Sequence, residues 1–165
     1  MIDIQPNVEY SSNRKKKIKD SNNANKKLDK FYTSPSTVDT VIEYIIKLFR
    51  NDGIDLREYT FLEPCAGGGA FLDGIERKCS DSNCISYDLV PEDLRIKQAD
   101  FLALKPEYNA KMIAIGNPPF GYKGDLAVSF INKCSEWCPI VVFILPIQFR
   151  RYNIQKHVYG NMKLI

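Results

Sequence analysis

Apolar residues recur along the chain at two different spacings, which predict helices alternating with strands. Between Val38 and Phe49 they recur every three or four residues, as on one face of a helix, and Ser36 is placed to cap its start. Four helices are predicted in this way: one after Ser36 that stops at 51–53, one carrying Phe71 that runs to about Lys78, one from about Asp125 to Trp137, and a short one at 153–159.

Short apolar runs between these helices predict strands at 59–62, 83–88, 96–100, 111–116 and 139–145. Alternating strands and helices predict an α/β fold, a doubly wound Rossmann-like parallel sheet with helices on both faces. The apolar character of the fourth and fifth strands favours burial on both of their faces. Ligands bind such sheets at the carboxyl ends of the strands, so the loops that follow the strands are the candidate site.

Composition and charge change this picture mainly at the start of the chain. The 165 residues fit one domain, and 44% hydrophobic with 26% charged residues is ordinary for a soluble protein. No apolar run reaches the roughly 18 residues of a membrane helix, and no signal peptide is recognisable, so we expect a cytoplasmic protein with no membrane partner. Five irregularly spaced cysteines favour packing over disulfides, and no metal is expected.

Basic residues are concentrated in the first part of the chain. The whole chain has a net charge of +3. Residues 1–30 contain eight Lys and Arg residues against four Asp and Glu residues, a net charge of +4. Residues 1–28 are therefore predicted to be a disordered basic tail, and residues 29–165 the folded domain. The tail is either a solvating arm or an electrostatic arm for nucleic acid.

A glycine-rich loop follows the first strand and narrows the choice of ligand. Leu72 stands where a dinucleotide fingerprint has its third glycine, so that fingerprint is incomplete, and no Gly-Lys-Ser/Thr follows, which excludes a P-loop nucleotide site. Glu63 at the start of the loop would repel a pyrophosphate but suits a cationic ligand, which favours S-adenosyl-L-methionine. Asp88 is placed to bond ribose hydroxyls, and Asp100 with Phe101 to bond and cover an adenine. The alternative for each Asp is a helix cap or turn.

The fourth strand runs into Asn117-Pro118-Pro119-Phe120. Two prolines stiffen this loop and remove two N–H donors, which leaves carbonyl oxygens and the Asn117 amide oxygen as acceptors. Phe120 offers a flat face for stacking. Acceptors beside an aromatic ring suit a planar amino group, although a purely structural loop is the alternative.

These motifs resemble those of the S-adenosylmethionine-dependent N6-adenine methyltransferases. Asn117 to Phe120 is similar to the catalytic motif of that family, 63–69 to its glycine motif, 31–35 to its first cofactor-binding segment, and 143–150 to the segment after its fifth strand. The resemblance implies that Asn117 and the Pro118 carbonyl accept the two amino hydrogens, that Pro119 belongs to the same catalytic loop, and that Phe120 stacks on a flipped-out base. It implies a cofactor site formed by Phe31, Tyr32, Thr33, Glu63, Pro64, Ala66, Gly67, Gly69, Asp88, Leu89, Asp100, Phe101 and Asn117.

The function implied by the resemblance is methyl transfer to the N6 amino group of adenine in DNA. RNA methylation is an alternative with the same tetrapeptide, as is a non-catalytic binding subunit, whereas Phe120 argues against a glutamine methyltransferase. The sheet of that family has seven strands, and this sequence stops at the start of a sixth, so we expect the last two strands to be missing. The resulting sheet edge is expected to bind a second copy or a partner chain. The lone His157 is expected on the surface.

Overall fold

A computed structural model describes residues 32–162, so the predicted tail and Phe31 lie outside the described residues. The helices are α1 Pro35–Asn51, α2 Ala70–Lys78, α3 Asp125–Ser135 and α4 Tyr152–Gln155. The strands are β1 Thr60–Glu63, β2 Asn83–Asp88, β3 Lys97–Gln98, β4 Met112–Gly116 and β5 Ile140–Phe143. Short 3-10 turns occupy Leu56–Glu58, Phe101–Ala103, Tyr122–Gly124 and Ile147–Arg150. In this part of the chain, no helix is long and apolar enough to cross a membrane.

Within residues 32–162 the strands form one parallel sheet in the order β3-β2-β1-β4-β5. Strand β1 is central, and its Leu62 lies beside Ile85 of β2 on one side and Ala114 of β4 on the other. The chain runs outward from β1 to β3 and then returns to the other side of β1 for β4. Such a reversal leaves a crevice at the carboxyl ends of β1 and β4.

Helices cover both faces of the sheet, as a doubly wound fold requires. Alternate side chains along β1 and β4 point to opposite faces, because successive residues of a strand do so. The side chains of Phe61, Ile113 and Ile115 point to one face and pack with α1 and α2. The side chains of Leu62, Met112 and Ala114 point to the other face and pack with α3. The predicted Rossmann-like α/β fold is confirmed.

The start of α1 differs from its prediction. Ser34 and not Ser36 is the N-cap, since its hydroxyl accepts a hydrogen bond from the backbone N–H of Thr37 at 3.3 Å. Pro35 then occupies the first helical position, where its missing N–H costs nothing. The cap lies one residue after Thr33, which ties the start of this helix to the candidate site.

The predictions for the sheet edges and for the last helix were also partly wrong. Strand β5 is half-buried and not buried on both faces, because β4 is its one strand neighbour within the described sheet. Strand β3 is limited to two exposed residues. Helix α4 ends at Gln155, because the Asn132 side chain of α3 binds the His157 carbonyl at 3.0 Å and the Tyr159 N–H at 2.8 Å. His157 is exposed beyond the helix end.

Candidate active site

A cavity of about 470 Å³ opens at the carboxyl ends of the strands, a size typical of small-molecule sites. Twelve of the residues predicted from the sequence line it: Tyr32, Thr33, Glu63, Pro64, Ala66, Gly67, Asp88, Leu89, Asp100, Phe101, Asn117 and Pro119. The described wall does not include the predicted Gly69, Pro118 or Phe120. It does include residues that the sequence did not single out, among them Cys65, Gly68, Leu102, Leu126 and Phe130.

Asp88 holds the glycine loop in place. Its Oδ2 accepts a hydrogen bond from the Gly67 N–H at 2.7 Å, and its Oδ1 accepts one from the Val90 N–H at 2.8 Å. Gly67 and Gly69 have φ angles of 56° and 81°, the left-handed region that favours glycine. Each carboxylate oxygen can still accept a second hydrogen bond, so Asp88 can fix the loop and bond a ligand hydroxyl.

Asp100 and Phe101 lie just after β3. The Oδ1 atom of Asp100 accepts a hydrogen bond from the Leu102 N–H at 3.1 Å and thereby caps a 3-10 turn. Phe101 is only 2% exposed. Its ring stacks on Phe130 of α3, with a centroid distance of 6.2 Å and an interplanar angle of 6°. Phe101 thus reaches the cavity as part of the packed core, and Leu102 and Phe130 extend the same apolar wall.

Glu63 places a buried carboxyl group against the cavity. The residue is 2% exposed, and the Ser86 hydroxyl donates a hydrogen bond to its Oε2 at 3.3 Å. Burial raises the pKa of Glu63 to about 8, although hydrogen bonds from Ser86 and from the backbone of Leu72 act in the opposite direction. The carboxyl is therefore mainly protonated at neutral pH, and a cation close to it would favour its charged form.

Asn117 joins the loop after β4 to the segment before α1. Its Nδ2 donates a hydrogen bond to Thr33 Oγ1 at 3.2 Å across 84 positions of sequence. Its Oδ1 is buried, and no donor among residues 32–162 bonds to it. A buried acceptor without a donor costs about 1–3 kcal/mol, so natural proteins rarely keep one without a reason. This oxygen is therefore an acceptor in the candidate site whose donor the described residues do not supply.

Phe120 contacts a different part of the molecule from Asn117. It is half-buried and packs against a cluster formed by Ala127, Ile131 and Phe149. Its carbonyl oxygen also accepts a hydrogen bond from the Ala127 N–H at 3.4 Å. Phe120 thus packs the loop after β4 against α3 and the loop after β5, and its proposed stacking on a base stays a prediction.

A contact between Tyr32 and Glu92 closes one side of the glycine loop. Tyr32 Oη donates a hydrogen bond to a Glu92 carboxylate oxygen at 2.7 Å. Both side chains lie over Gly68, where an added Cβ atom would be 3.7 Å from the Tyr32 ring and 3.8 Å from the Glu92 carboxylate. No motif in the sequence predicted a role for Glu92, because only the fold brings it to Tyr32, 60 positions away in the chain.

Comparison with known proteins adds an independent observation. Residues 70–163 match a family profile described as the EDM2 methyltransferase-like domain. The chain is also 26% identical over 141 residues to Protein ENHANCED DOWNY MILDEW 2 of Arabidopsis thaliana, which covers 78% of this chain and 10% of that protein. The chain therefore spans about a tenth of the length of the curated relative it matches. No solved structure gives a significant match.

Proposed function

Since the chain belongs to the EDM2 methyltransferase-like domain family, we propose that it transfers a methyl group from S-adenosyl-L-methionine to the exocyclic N6 amino group of adenine in DNA. The observation that carries the choice of an amino group is the buried Oδ1 of Asn117, an acceptor for which the described residues supply no donor. It lies in a Pro-Pro loop beside the cavity, and an amino group supplies the donor that it requires.

The residues around the cavity fit S-adenosyl-L-methionine as the bound cofactor. Glu63 would lie on the side of its cationic groups, Asp88 would bond the ribose hydroxyls, and Asp100 would bond the adenine amino group. Leu89 and Phe130 supply apolar wall for the adenine ring. When bound, this cofactor supplies a methyl group carried on a positively charged sulfur.

Asn117 and its neighbours would hold the methyl acceptor. As the family resemblance implies, the Asn117 Oδ1 and the Pro118 carbonyl oxygen would each accept one hydrogen of the adenine amino group, which would localise the lone pair on nitrogen. Thr33 helps to hold the Asn117 side chain through its hydrogen bond to Nδ2. The contribution of these residues is positioning and electrostatic stabilisation, and no covalent intermediate with the protein is needed.

Transfer of a labelled methyl group tests this proposal on DNA, RNA and protein substrates. We expect the native chain to label N6 of adenine in DNA. We expect Asn117→Ala to bind the cofactor with nearly native affinity but to lose about 10² to 10³ in rate constant, with little change in KM. Asn83→Ala is the matched control, because Asn83 is exposed at the amino-terminal end of β2, away from the cavity. This variant should behave as the native chain.

Each arm of the assay separates one alternative. Labelling of RNA in place of DNA would keep the amino-group chemistry and replace the substrate. Labelling of protein alone, or full turnover by Asn117→Ala, would refute the proposal. Cofactor binding without any transfer would identify a binding subunit instead.

A further inference from the structure

We propose that the loops after β4 and β5 form a docking surface for a single-stranded polynucleotide beside the cavity. The surface consists of Tyr122, Lys123, Ile147 and residues 150–152, and we name it the β4–β5 loop surface. The choice of a polynucleotide rests on the proposed function, whereas the surface itself is defined by exposure, charge and position.

The β4–β5 loop surface begins where the cavity wall ends. Strands β4 and β5 are adjacent and parallel, so the loops that follow them lie side by side at the carboxyl ends of the strands, where the cavity opens. Gly124 of the first loop packs on Phe149 of the second, since an added Cβ would lie 2.9 Å from that ring. Gly121, which immediately precedes Tyr122, lines the cavity. A strand that places one base in the cavity would therefore extend over this surface.

Large apolar side chains are exposed on this surface although their neighbours are packed. Tyr122, Ile147 and Tyr152 are 75%, 70% and 80% exposed, whereas Phe149 between them is buried. The loops are thus already anchored by Phe149, and the tyrosine rings are not needed for that packing. Exposed aromatic rings are the stacking platforms of proteins that bind single strands, where each base stack changes affinity about 5- to 150-fold.

The conformation of Lys123 places a cation beside one of these rings. Lys123 has a φ angle of 53°, in the left-handed region that residues other than glycine rarely adopt. Its Nζ lies 5.0 Å from the centroid of the Tyr122 ring, and both side chains are exposed. The ammonium lies over one face of the Tyr122 ring, so a base would stack on the other face while the phosphate of the nucleotide meets the cation.

In the loop after β5 and in the residues that follow it, the charged side chains are all basic. Residues 137–165 contain no Asp or Glu, whereas Arg150, Arg151 and Lys156 are exposed in this part of the structure. The acid closest in sequence to Lys123 is Asp125, whose carboxylate accepts a hydrogen bond from a backbone N–H at the start of α3. This distribution attracts a polyanion to the β4–β5 side of the site.

A single strand fits this surface better than a duplex or an acidic protein. Duplex readers commonly insert a helix or a β-ribbon into a groove, whereas the helix at this position, α4, has four residues. An acidic protein segment would use the cations but would have no bases to stack on Tyr122 and Tyr152. The combination of rings and cations therefore favours a polynucleotide.

Fluorescence anisotropy of labelled oligonucleotides with the full chain tests the inference. Probes are single-stranded DNA, single-stranded RNA, duplex DNA and polyglutamate of equal charge, each measured over a range of salt concentrations without cofactor. Because all variants keep the basic N-terminal residues, differences between them report on the loops. The DNA and RNA arms show which polynucleotide the surface prefers.

We expect Tyr122→Ala with Tyr152→Ala to weaken single-strand binding about 30-fold or more, and Tyr122→Phe with Tyr152→Phe to retain it. We expect Lys123→Gln with Arg151→Gln to flatten the slope of log affinity against log salt by about one to one and a half. The matched controls are Tyr108→Ala and Lys105→Gln, exposed at the amino-terminal side of β4, and they should bind as the native chain.

Three results would overturn the inference. One is equal binding by the loop variants and the controls. Another is polyglutamate that binds as tightly as the oligonucleotides and loses affinity in the same variants. The third is duplex DNA that binds more tightly than single strands and loses affinity in the same variants. Cofactor titration on each loop variant should be unchanged, which also shows that the variant is folded. Since binding is measured without methyl transfer, a failure of the proposed reaction would leave these differences between variants intact.

Discussion

The buried carboxyl of Glu63 gives a stability that depends on pH in an unusual direction. The pKa of this group rises from 4.5 to about 8 on folding, chiefly because the group is buried, and the nearby charges of Asp88 and Asp73 act in the same direction. The folded state therefore binds more protons than the unfolded state between pH 4.5 and 8. The contribution of Glu63 is fully present below pH 4.5 and is lost as the pH rises through about 8.

The size of this loss follows from the two pKa values. Integration of the proton difference from pH 5 to pH 8 gives a decrease of about 3–4 kcal/mol in the free energy of unfolding. A domain of this size has a urea slope on the order of 2 kcal/mol per M, so the urea midpoint should fall by about 1.5–2 M over that range.

Urea unfolding of the native chain and of Glu63→Gln at several pH values measures the effect. Glutamine keeps the shape and an acceptor for the Ser86 hydroxyl but cannot ionise. The variant should be the more stable by only about 1 kcal/mol at pH 5 and by about 4 kcal/mol at pH 8. Glu107→Gln, at an exposed position, should follow the native curve. Native and Glu63→Gln curves that stay parallel from pH 5 to pH 8 would refute the reasoning.

Two further predictions test the cofactor site and the packing of the helices. Asp88→Ala should lower the affinity for S-adenosyl-L-methionine at least about tenfold in calorimetric titration, because it removes a charged acceptor and releases the Gly67 and Val90 N–H groups. Asp81→Ala, exposed before β2, is its control, and unchanged affinity of Asp88→Ala would remove Asp88 from the site. Gly74→Ala should lower the urea midpoint by the equivalent of about 1–3 kcal/mol, since its Cβ would overlap Val38 of α1 and lie 2.8 Å from Ile42 Cδ1. Gly160→Ala has no atom within 4 Å of its Cβ and should be neutral, whereas a fully stable Gly74→Ala would show that α1 and α2 can separate at little cost.

The fold could be predicted from the sequence wherever the apolar pattern was long and regular. Strand β4 is buried at all of its positions, and the apolar face of α1 includes the residues whose spacing predicted it. Strand β3 has two exposed residues and hardly differs from a loop in its pattern. The four 3-10 turns were missed because their side chains follow no period, and two of them begin with a local Asp cap, at Asp55 and Asp100.

Only the parts of the candidate site that lie within continuous sequence motifs could be predicted. The glycine loop, Asp88 and Asn117 were found because each motif is continuous in sequence. The contacts of Tyr32 with Glu92 and of Thr33 with Asn117 join positions 60 and 84 residues apart, and no local pattern encodes them. The stacking of Phe101 on Phe130 likewise depends on how α3 crosses the sheet.

The reversal of strand order at β1 divides the site along the chain as well as in space. Most of the residues that face the proposed cofactor come from the loops within residues 63–102, and the loops that face the proposed acceptor come from residues 117–152, while Tyr32, Thr33 and Phe130 line the same cavity from outside the first stretch. Each group is nearly continuous, so most mutations in one should leave the other undisturbed, except where Phe101 stacks on Phe130 and Thr33 bonds Asn117. We expect relatives with this topology to diverge in what they methylate by changes confined to the second stretch. Exchange of that stretch between relatives is accordingly a practical route to hybrid proteins with an altered acceptor and the same methyl donor.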